Sequence, residues 1–207
     1  MIVLNKSNLL KLASRLTVLG ILGIFLFLNA CQQSASTPKP RGYHRIDFPK
    51  KAYVHYDGGC SYSFDIPVYA NVTPDVSAEA RPCWININYP QFNGKLHITY
   101  HDFDNDQKRF NQLTEYSREL VFKHTIKATS IDESIIKDNK RRVYGTYYTI
   151  GGNTASSLQL YLTDSTKHFL RAALYFRSEP KLDSIQPVLD FIKKDIDVML
   201  KTFKWKN

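Results

Sequence analysis

Residues 127–177 read KATSIDESIIKDNKRRVYGTYYTIGGNTASSLQLYLTDSTKHFLRAALYFR and contain four segments in which apolar and polar residues alternate. A period of two is typical of β-strands, and it predicts strands over about 127–137, 142–150, 156–163 and 168–177. Gly, Asn, Asp and Ser residues between the segments supply short turns. Strands joined by such short turns pair antiparallel, so this stretch predicts an antiparallel meander.

Upstream of residue 127 the sequence predicts further strands and one helix. Apolar residues alternate in three short segments, which predict strands over 62–66, 85–89 and 96–100. Asp104 and Gln107 resemble a capping box, and apolar residues then recur at helical spacing as far as His124. Residues 71–82 contain two prolines and are predicted to form a loop.

The C-terminal segment predicts a second helix. Ser184 is a candidate N-cap and Pro187 lies where the first turn is expected. Seven apolar residues follow one helical face: Ile185, Val188, Leu189, Ile192, Ile196, Met199 and Phe203. The order of elements predicts a single α+β domain over residues 53–207, with a mainly antiparallel sheet flanked by two helices. This order is similar to that of the Mog1/PsbP-like α/β/α sandwich.

The first thirty residues have the composition of an export signal. Lys6, Lys11 and Arg15 accompany the apolar run Leu16–Leu28. Thirteen helical residues rise about 20 Å, less than the roughly 30 Å hydrocarbon core of a bilayer. The run therefore predicts a signal peptide over residues 1–30 and not a membrane span.

Cys31 ends the sequence Leu-Asn-Ala-Cys, which is similar to a lipobox. We predict that Cys31 is diacylated and that the chain is cleaved before it, with an ordinary signal peptide and an incidental cysteine as the alternative. Each buried CH₂ of an acyl chain contributes about 0.8 kcal/mol, so several chains would hold the protein on a bilayer. Residues 31–52 are predicted to be the lipidated cysteine and an extended tether.

The charge of the mature chain excludes one class of partner. The whole chain has a net charge of +9, but residues 1–30 hold three basic and no acidic residues. Residues 31–207 therefore carry 25 basic and 19 acidic residues, a net charge of +6. An exported protein meets no genome, so we expect lipid head groups, glycans or acidic proteins as partners and no nucleic acid.

Cys60 and Cys83 are the two other cysteines. Disulfides form in oxidising compartments such as the periplasm, so we favour a disulfide between Cys60 and Cys83. A disulfide that closes a loop of this length would stabilise the fold by about 3 kcal/mol. Two buried free thiols are the alternative.

No segment of the chain predicts catalysis, a metal site or a cofactor. His97 and His101 share a strand face, but their Cα atoms would lie about 13 Å apart, so we interpret them as polar residues of a solvated face. Asp164, Ser165 and His168 fall within one turn and lack a Gly-x-Ser-x-Gly motif. We predict that Asp164 and Ser165 close that turn through hydrogen bonds to the backbone.

A basic and aromatic surface is the chain's main candidate for binding. Arg and Tyr side chains are enriched at the centres of protein interfaces. We select as candidate interaction residues Arg41, Tyr43, Arg45, Trp84, Lys167, His168 and Arg171. An alternative function, a periplasmic ligand or glycan binder, would need a concave pocket formed by Trp84, Tyr144, Tyr148 and Arg171. The same side chains could instead lie beneath a helix.

Four segments together resemble the gliding-motility lipoprotein GldD family of Bacteroidetes. They are PKPRGYHRIDFP (Pro38–Pro49), WININYP (Trp84–Pro90), IDES (Ile131–Ser134) and LYLTDSTKHFLRAALYF (Leu160–Phe176). The resemblance implies a non-enzymatic, membrane-associated component of gliding motility and type IX secretion that acts with other envelope proteins of that machinery. It supplies no catalytic residues. Residues 32–35 lack the acidic cluster associated with surface export in these bacteria, so we expect the domain to face the periplasm.

Overall fold

The computed structural model describes residues 14–17, 45–177 and 181–206. The chain divides into two units, residues 1–44 and 45–207. In the first unit, residues 14–17 are helical. The predicted signal peptide is otherwise outside the described residues, and so are Cys31 and the tether as far as residue 44.

The described part of the second unit contains ten strands, two α-helices and two short 3₁₀ segments. The strands are β1 (Tyr53–Tyr56), β2 (Tyr62–Pro67), β3 (Asn71–Pro74), β4 (Ile85–Tyr89), β5 (Gly94–Asp102), β6 (Ala128–Asp138), β7 (Val143–Gly152), β8 (Ser156–Thr163), β9 (His168–Phe176) and β10 (Lys204–Trp205). Helix α1 spans Gln107–Phe122 and helix α2 spans Leu182–Thr202. The 3₁₀ segments are Pro90–Phe92 and Lys123–Ile126.

The strands form two antiparallel sheets. Seven of them pair in the order β3-β4-β5-β9-β8-β7-β6, and the other three pair in the order β1-β2-β10. In the larger sheet β5 and β9 are central, and Ile98 lies opposite Ala172. The α+β class and the mainly antiparallel sheet predicted from the sequence are confirmed.

The two helices cover opposite faces of the larger sheet. Strand alternation sends Leu96, Ile98 and Leu160 to the face that packs against α2 and β2. On the other face Phe169 packs with Leu113 of α1. Fully burying a Leu, Ile or Phe side chain stabilises a fold by about 1.5–3 kcal/mol, so both layers contribute to holding the sheet between the helices.

Three short strands were not recognised in the sequence. β3 lies inside the segment predicted as a loop, and its Val72 pairs with Ile87 of β4. β1 and β10 flank β2 on its two sides. Strands of two to four residues show too little alternation to be distinguished from loops, because their pairing depends on partners distant in sequence.

Both helices begin at residues other than those predicted. Asp106, and not Asp104, caps α1: its carboxylate accepts a hydrogen bond from the Arg109 N–H at 3.0 Å. Helix α2 begins at Leu182 after Lys181, so Ser184 lies inside it and is not its N-cap. Pro187 consequently lies in the second turn of α2 and not in the first.

The tether ends earlier than predicted, because residues 47–52 contact the folded unit. The Phe48 ring stacks on Phe191 of α2 with centroids 4.5 Å apart. Gln91 donates a hydrogen bond to the Asp47 carbonyl at 3.0 Å. The predicted boundary at residue 52 was wrong. The sequence around Phe48 is basic and rich in proline, and it gives no indication that this ring packs against Phe191, far along the chain.

Candidate functional site

A buried carboxylate lies where the chain enters the folded unit. Asp195 of α2 is 1 % exposed. It accepts hydrogen bonds from Lys51 Nζ at 2.6 Å, Tyr53 OH at 3.0 Å and Tyr69 OH at 2.7 Å. Lys51 Nζ also donates to the Phe191 carbonyl at 2.9 Å. We call Lys51, Tyr53, Tyr69 and Asp195 the Asp195 cluster.

The electrostatics of the Asp195 cluster are those of a satisfied ion pair. Burial lowers the pKa of Lys51, while the hydrogen bond and charge of Asp195 act in the opposite direction. Burial and the nearby carboxylate raise the pKa of Tyr53 to about 12 and also raise that of Tyr69. Both tyrosines therefore remain protonated donors at neutral pH. The cluster binds the entering chain to the middle of α2.

A cleft of about 320 Å³ opens on the opposite face of the larger sheet. Helix α1, strands β5 and β9 and the segment at Ser77–Glu79 surround it. We call it the α1 cleft; the residues that matter most here are Trp84, His97, His101, Leu113, Tyr116 and Arg171. Sites of 300–1,000 Å³ with apolar walls and a few polar groups are typical of small-molecule binding.

Trp84 organises one wall of the α1 cleft. Its indole N–H donates to the Tyr100 carbonyl at 2.8 Å. The rings of His97 and His101 approach the indole edge-on, with centroids 6.4 and 5.5 Å away. His97 Nδ1 donates to Asn86 Oδ1 at 2.9 Å, which fixes the orientation of its ring.

The two histidines are neutral at neutral pH. Burial and the charges of Arg109 and Arg81 together lower the pKa of His101 to about 4. Burial also lowers the pKa of His97, against an opposing effect from Asp75. The interpretation of these residues as a solvated face was wrong, because α1 crosses the face that they occupy.

Arg171 provides the fixed positive charge of the α1 cleft. It is 9 % exposed, and its Nη2 donates to Gln159 Oε1. The amide nitrogen of Gln159 donates in turn to His124 Nε2 at 2.9 Å. Burial and the charge of Arg171 lower the pKa of His124, consistent with a neutral ring that accepts this hydrogen bond. Gln159 therefore fixes the guanidinium through a neutral amide.

The predicted interaction residues do not form one surface. Arg41 and Tyr43 lie outside the described residues. Arg45 and Lys167 are exposed, and Arg45 pairs with Asp47 at 3.1 Å. His168 and Arg171 are buried, so they cannot belong to an open docking surface. Of the four residues selected for a ligand pocket, Trp84 and Arg171 line the α1 cleft, whereas Tyr148 is buried against Val121.

Asp164, Ser165 and His168 form a turn and not a catalytic triad. Asp164 Oδ1 accepts hydrogen bonds from the N–H groups of Thr166, Lys167 and His168 at 2.8–2.9 Å. Burial raises the pKa of Asp164, but these bonds outweigh it and the pKa falls to about 2. A hydrogen bond of 2.6 Å joins His168 Nδ1 to Tyr100 OH. The turn role of Asp164 predicted from the sequence is confirmed.

Cys60 and Cys83 are joined as a disulfide in the structure, with Cα atoms 5.7 Å apart. The Cys83 carbonyl accepts a hydrogen bond from Tyr62 OH at 2.7 Å. The disulfide therefore connects the segment before β2 to Cys83, the residue just ahead of Trp84.

Sequence reasoning missed Asp195 and the partner of Arg171. Asp195 follows Ile192 by three residues and precedes Met199 by four, so it lies within the apolar stripe of α2. A carboxylate in that position is the available signal of a buried ion pair. Gln159 gave no signal, because strand alternation alone does not distinguish a buried amide from a solvated one.

No group of three or more His, Cys, Asp or Glu residues in the described ranges is arranged to hold a metal ion. None of the helices within residues 14–17, 45–177 and 181–206 has the length and apolar character needed to cross a bilayer.

The fold and the N-terminal sequence together define a small α+β domain that follows a lipoprotein-like leader. A family model described as "Gliding motility lipoprotein GldD" matches residues 33–205, and the chain belongs to this family. Members are lipoproteins of gliding motility, which associates this chain with a membrane of the cell envelope.

Other comparisons concern curated proteins and solved structures. No curated protein matches the chain. Ten chains of solved structures match, among them the solution structure of cyanobacterial PsbP (CyanoP) from Synechocystis sp. PCC 6803. That match has 12 % sequence identity and a TM-score of 0.45, and it covers 78 % of this chain and 97 % of the other.

Proposed function

We propose that this chain is a lipid-anchored envelope protein that faces the periplasm and acts as a non-enzymatic assembly component of the gliding motility and type IX secretion machinery. Acylated Cys31 would hold it on a bilayer, while the folded unit contacts other envelope proteins. Tethering raises the effective concentration of the folded unit, so a modest interface is enough to assemble a complex.

The observation that carries this proposal is the family match over residues 33–205. A non-enzymatic role is supported by the state of the catalytic candidates. The Asp164 carboxylate is occupied by backbone N–H groups, and Tyr100 OH occupies His168 Nδ1. Asp164 therefore serves the backbone of its own turn, and His168 Nδ1 is paired with a tyrosine and not with the carboxylate that a Ser-His-Asp triad requires.

Removal of the lipid tests the anchoring role. In a deletion strain, residues 1–30 are replaced by an ordinary secretory signal peptide and Cys31→Ala is introduced, so that the folded unit is exported without acyl chains. We expect this form to leave the membrane fraction and to lose gliding and secretion. A matched control keeps the native leader and carries Gln32→Ala. Full gliding with the unacylated form would contradict the proposal.

Cross-linking in cells tests the assembly role. A photo-reactive residue is placed at Ile126 or at Ile135, which are 90 % and 85 % exposed. We expect mass spectrometry of the cross-linked species to recover other gliding or secretion proteins, with cells kept in the dark as the control. Recovery of none from either position would count against an assembly component.

A further inference from the structure

Arg171 is a buried cation that has no anionic partner among the described residues. Only 9 % of the residue is exposed. Among the residues that the structure describes, its guanidinium makes one hydrogen bond, to the neutral amide of Gln159. A guanidinium offers five N–H donors. Because burying a charge without a counter-charge costs free energy, an unpaired buried arginine in a cleft indicates a site for an anion.

The other titratable groups around the α1 cleft do not neutralise Arg171. Glu79 lines the cleft and is exposed, but no ion pair within the described ranges joins it to Arg171. Asp75 accepts a hydrogen bond from Ser77, and no ion pair within the described ranges joins it to Arg171. Arg81 and Arg109 act on the pKa of His101 but do not line the cleft, so with His97 and His101 neutral Arg171 is the cation that lines it among the described residues.

Part of the wall of the α1 cleft is apolar or aromatic, and the rest is polar, with Ser77, Thr99 and Ser117 among its residues. Leu113, Leu120 and Phe169 supply aliphatic and ring surface, and the rings of Trp84, Tyr116 and Tyr175 also line the cleft. Tyr116 is 56 % exposed and stands at the entrance. A single charge at the base of such walls selects a ligand that has an anionic group at one end and an apolar body.

We propose that the α1 cleft binds a small organic monocarboxylate, with its carboxylate on Arg171 and a ring or short aliphatic body against Trp84 and the apolar wall. The planar N–H pairs of a guanidinium match the two oxygens of a carboxylate. One fixed positive charge fits a monoanion better than a doubly charged phosphate. This site goes beyond the assembly role and does not depend on it.

Gln159 is the positioning residue of this site. Its amide oxygen accepts from Arg171, and its amide nitrogen is held by His124. Arg171 therefore donates one hydrogen bond to a neutral partner, and its positive charge stays uncompensated. Gln159→Glu would supply the missing anion from within the protein, and we expect it to exclude an external carboxylate.

The test uses the purified full-length lipoprotein in phosphatidylcholine nanodiscs, with empty nanodiscs as the blank. The probes are 4-fluorobenzoate and its neutral isostere 4-fluorobenzamide, followed by ¹⁹F NMR line broadening. We expect saturable binding of the benzoate and an affinity for the benzamide that is lower by about tenfold or more. The absence of saturable benzoate binding up to about 20 mM, or equal binding of both probes, would overturn the proposal.

Three variants assign the binding to Arg171. Arg171→Gln and Gln159→Glu are expected to weaken benzoate binding by about tenfold or more. Exposed Arg177, at the end of the same strand, gives the control Arg177→Gln, which should bind as the wild type does. Unchanged binding in Arg171→Gln would overturn the proposal.

Tyr116→Ala keeps the test valid if the buried variants do not fold. Because Tyr116 is largely exposed, its truncation preserves the core and should weaken benzoate binding several-fold. Unchanged benzoate binding in Tyr116→Ala would contradict the placement of the ligand. Arg171-dependent cross-linking to an acidic protein segment, without benzoate binding, would also overturn the small-ligand proposal.

Discussion

Two charged side chains are buried on opposite faces of the larger sheet, and their surroundings differ. Asp195 accepts hydrogen bonds from one ammonium and two tyrosine hydroxyls. Within the part of the chain that the structure describes, Arg171 donates to one neutral partner, Gln159. The two residues are similarly buried, since Asp195 is 1 % exposed and Arg171 is 9 % exposed. The difference teaches that burial alone does not assign a role: the satisfied charge holds the fold together, and the unsatisfied one is available to a ligand.

The largest expected effect comes from breaking the satisfied site. Asp195→Ala leaves the Lys51 ammonium and two tyrosine hydroxyls without their acceptor. Removing one partner of a buried pair costs about 3–5 kcal/mol, and because the Lys51 side chain is 27 % exposed we expect a value of about 3 kcal/mol. Urea unfolding of the full chain measures the change. Asp197→Asn on the exposed side of α2 is the control, with an expected change within about 0.5 kcal/mol.

Replacing both charges sharpens the same comparison. In Lys51→Met with Asp195→Leu, no uncompensated charge remains, so we expect the double variant to recover more than half of the stability lost in Asp195→Ala. The difference between the single and double variants, again from urea unfolding, isolates the cost of the orphaned ammonium. A double variant less stable than Asp195→Ala would show that the pair stabilises the fold beyond mutual compensation.

A smaller effect is expected at Arg171. In Arg171→Met the loss of the hydrogen bond to Gln159 is offset by removal of a buried charge, so the free energy of unfolding should change by less than about 1 kcal/mol. The same urea measurement applies. A decrease in the free energy of unfolding of about 3 kcal/mol would mean that Arg171, like Asp195, stabilises the fold, and it would contradict the difference drawn between the two residues.

The last expected effect is the dependence of stability on pH at His101. Its pKa is about 4 in the folded protein and about 6.5 when unfolded, so the unfolded chain binds more protons between these values. Stability is therefore retained above about pH 6.5 and falls as the pH drops towards about 4. Thermal unfolding at pH 7 and pH 5 should show a smaller decrease in His101→Gln than in the wild type.

The fold was largely predictable because its signals are local. The alternation in β5, β8 and β9 and the apolar stripe of α2 each lie within one segment, and the structure places them as predicted. The turn at Asp164 was equally visible, because its partners are two to four residues away.

The candidate sites were less predictable because they depend on long-range packing. Lys51 and Asp195 are 144 residues apart in the sequence. His97 and His101 alternate with apolar residues as solvated side chains would, and the position of α1 over that face places them in the wall of a cleft. The burial of Arg171 likewise depends on the pairing of β9 with β8 and on α1, none of which a single strand reveals.

The contacts of Phe48 and Lys51 with α2 determine where a pulling force on the N-terminal side of the folded unit acts first. A pull on the chain ahead of Arg45 reaches the ring stack of Phe48 on Phe191 and then the ion pair of Lys51 before it reaches β1. With the lipid anchor proposed for Cys31, tension on the chain is delivered to the middle of a 21-residue helix, and the pairing of β1 with β2 is shielded from being peeled apart first.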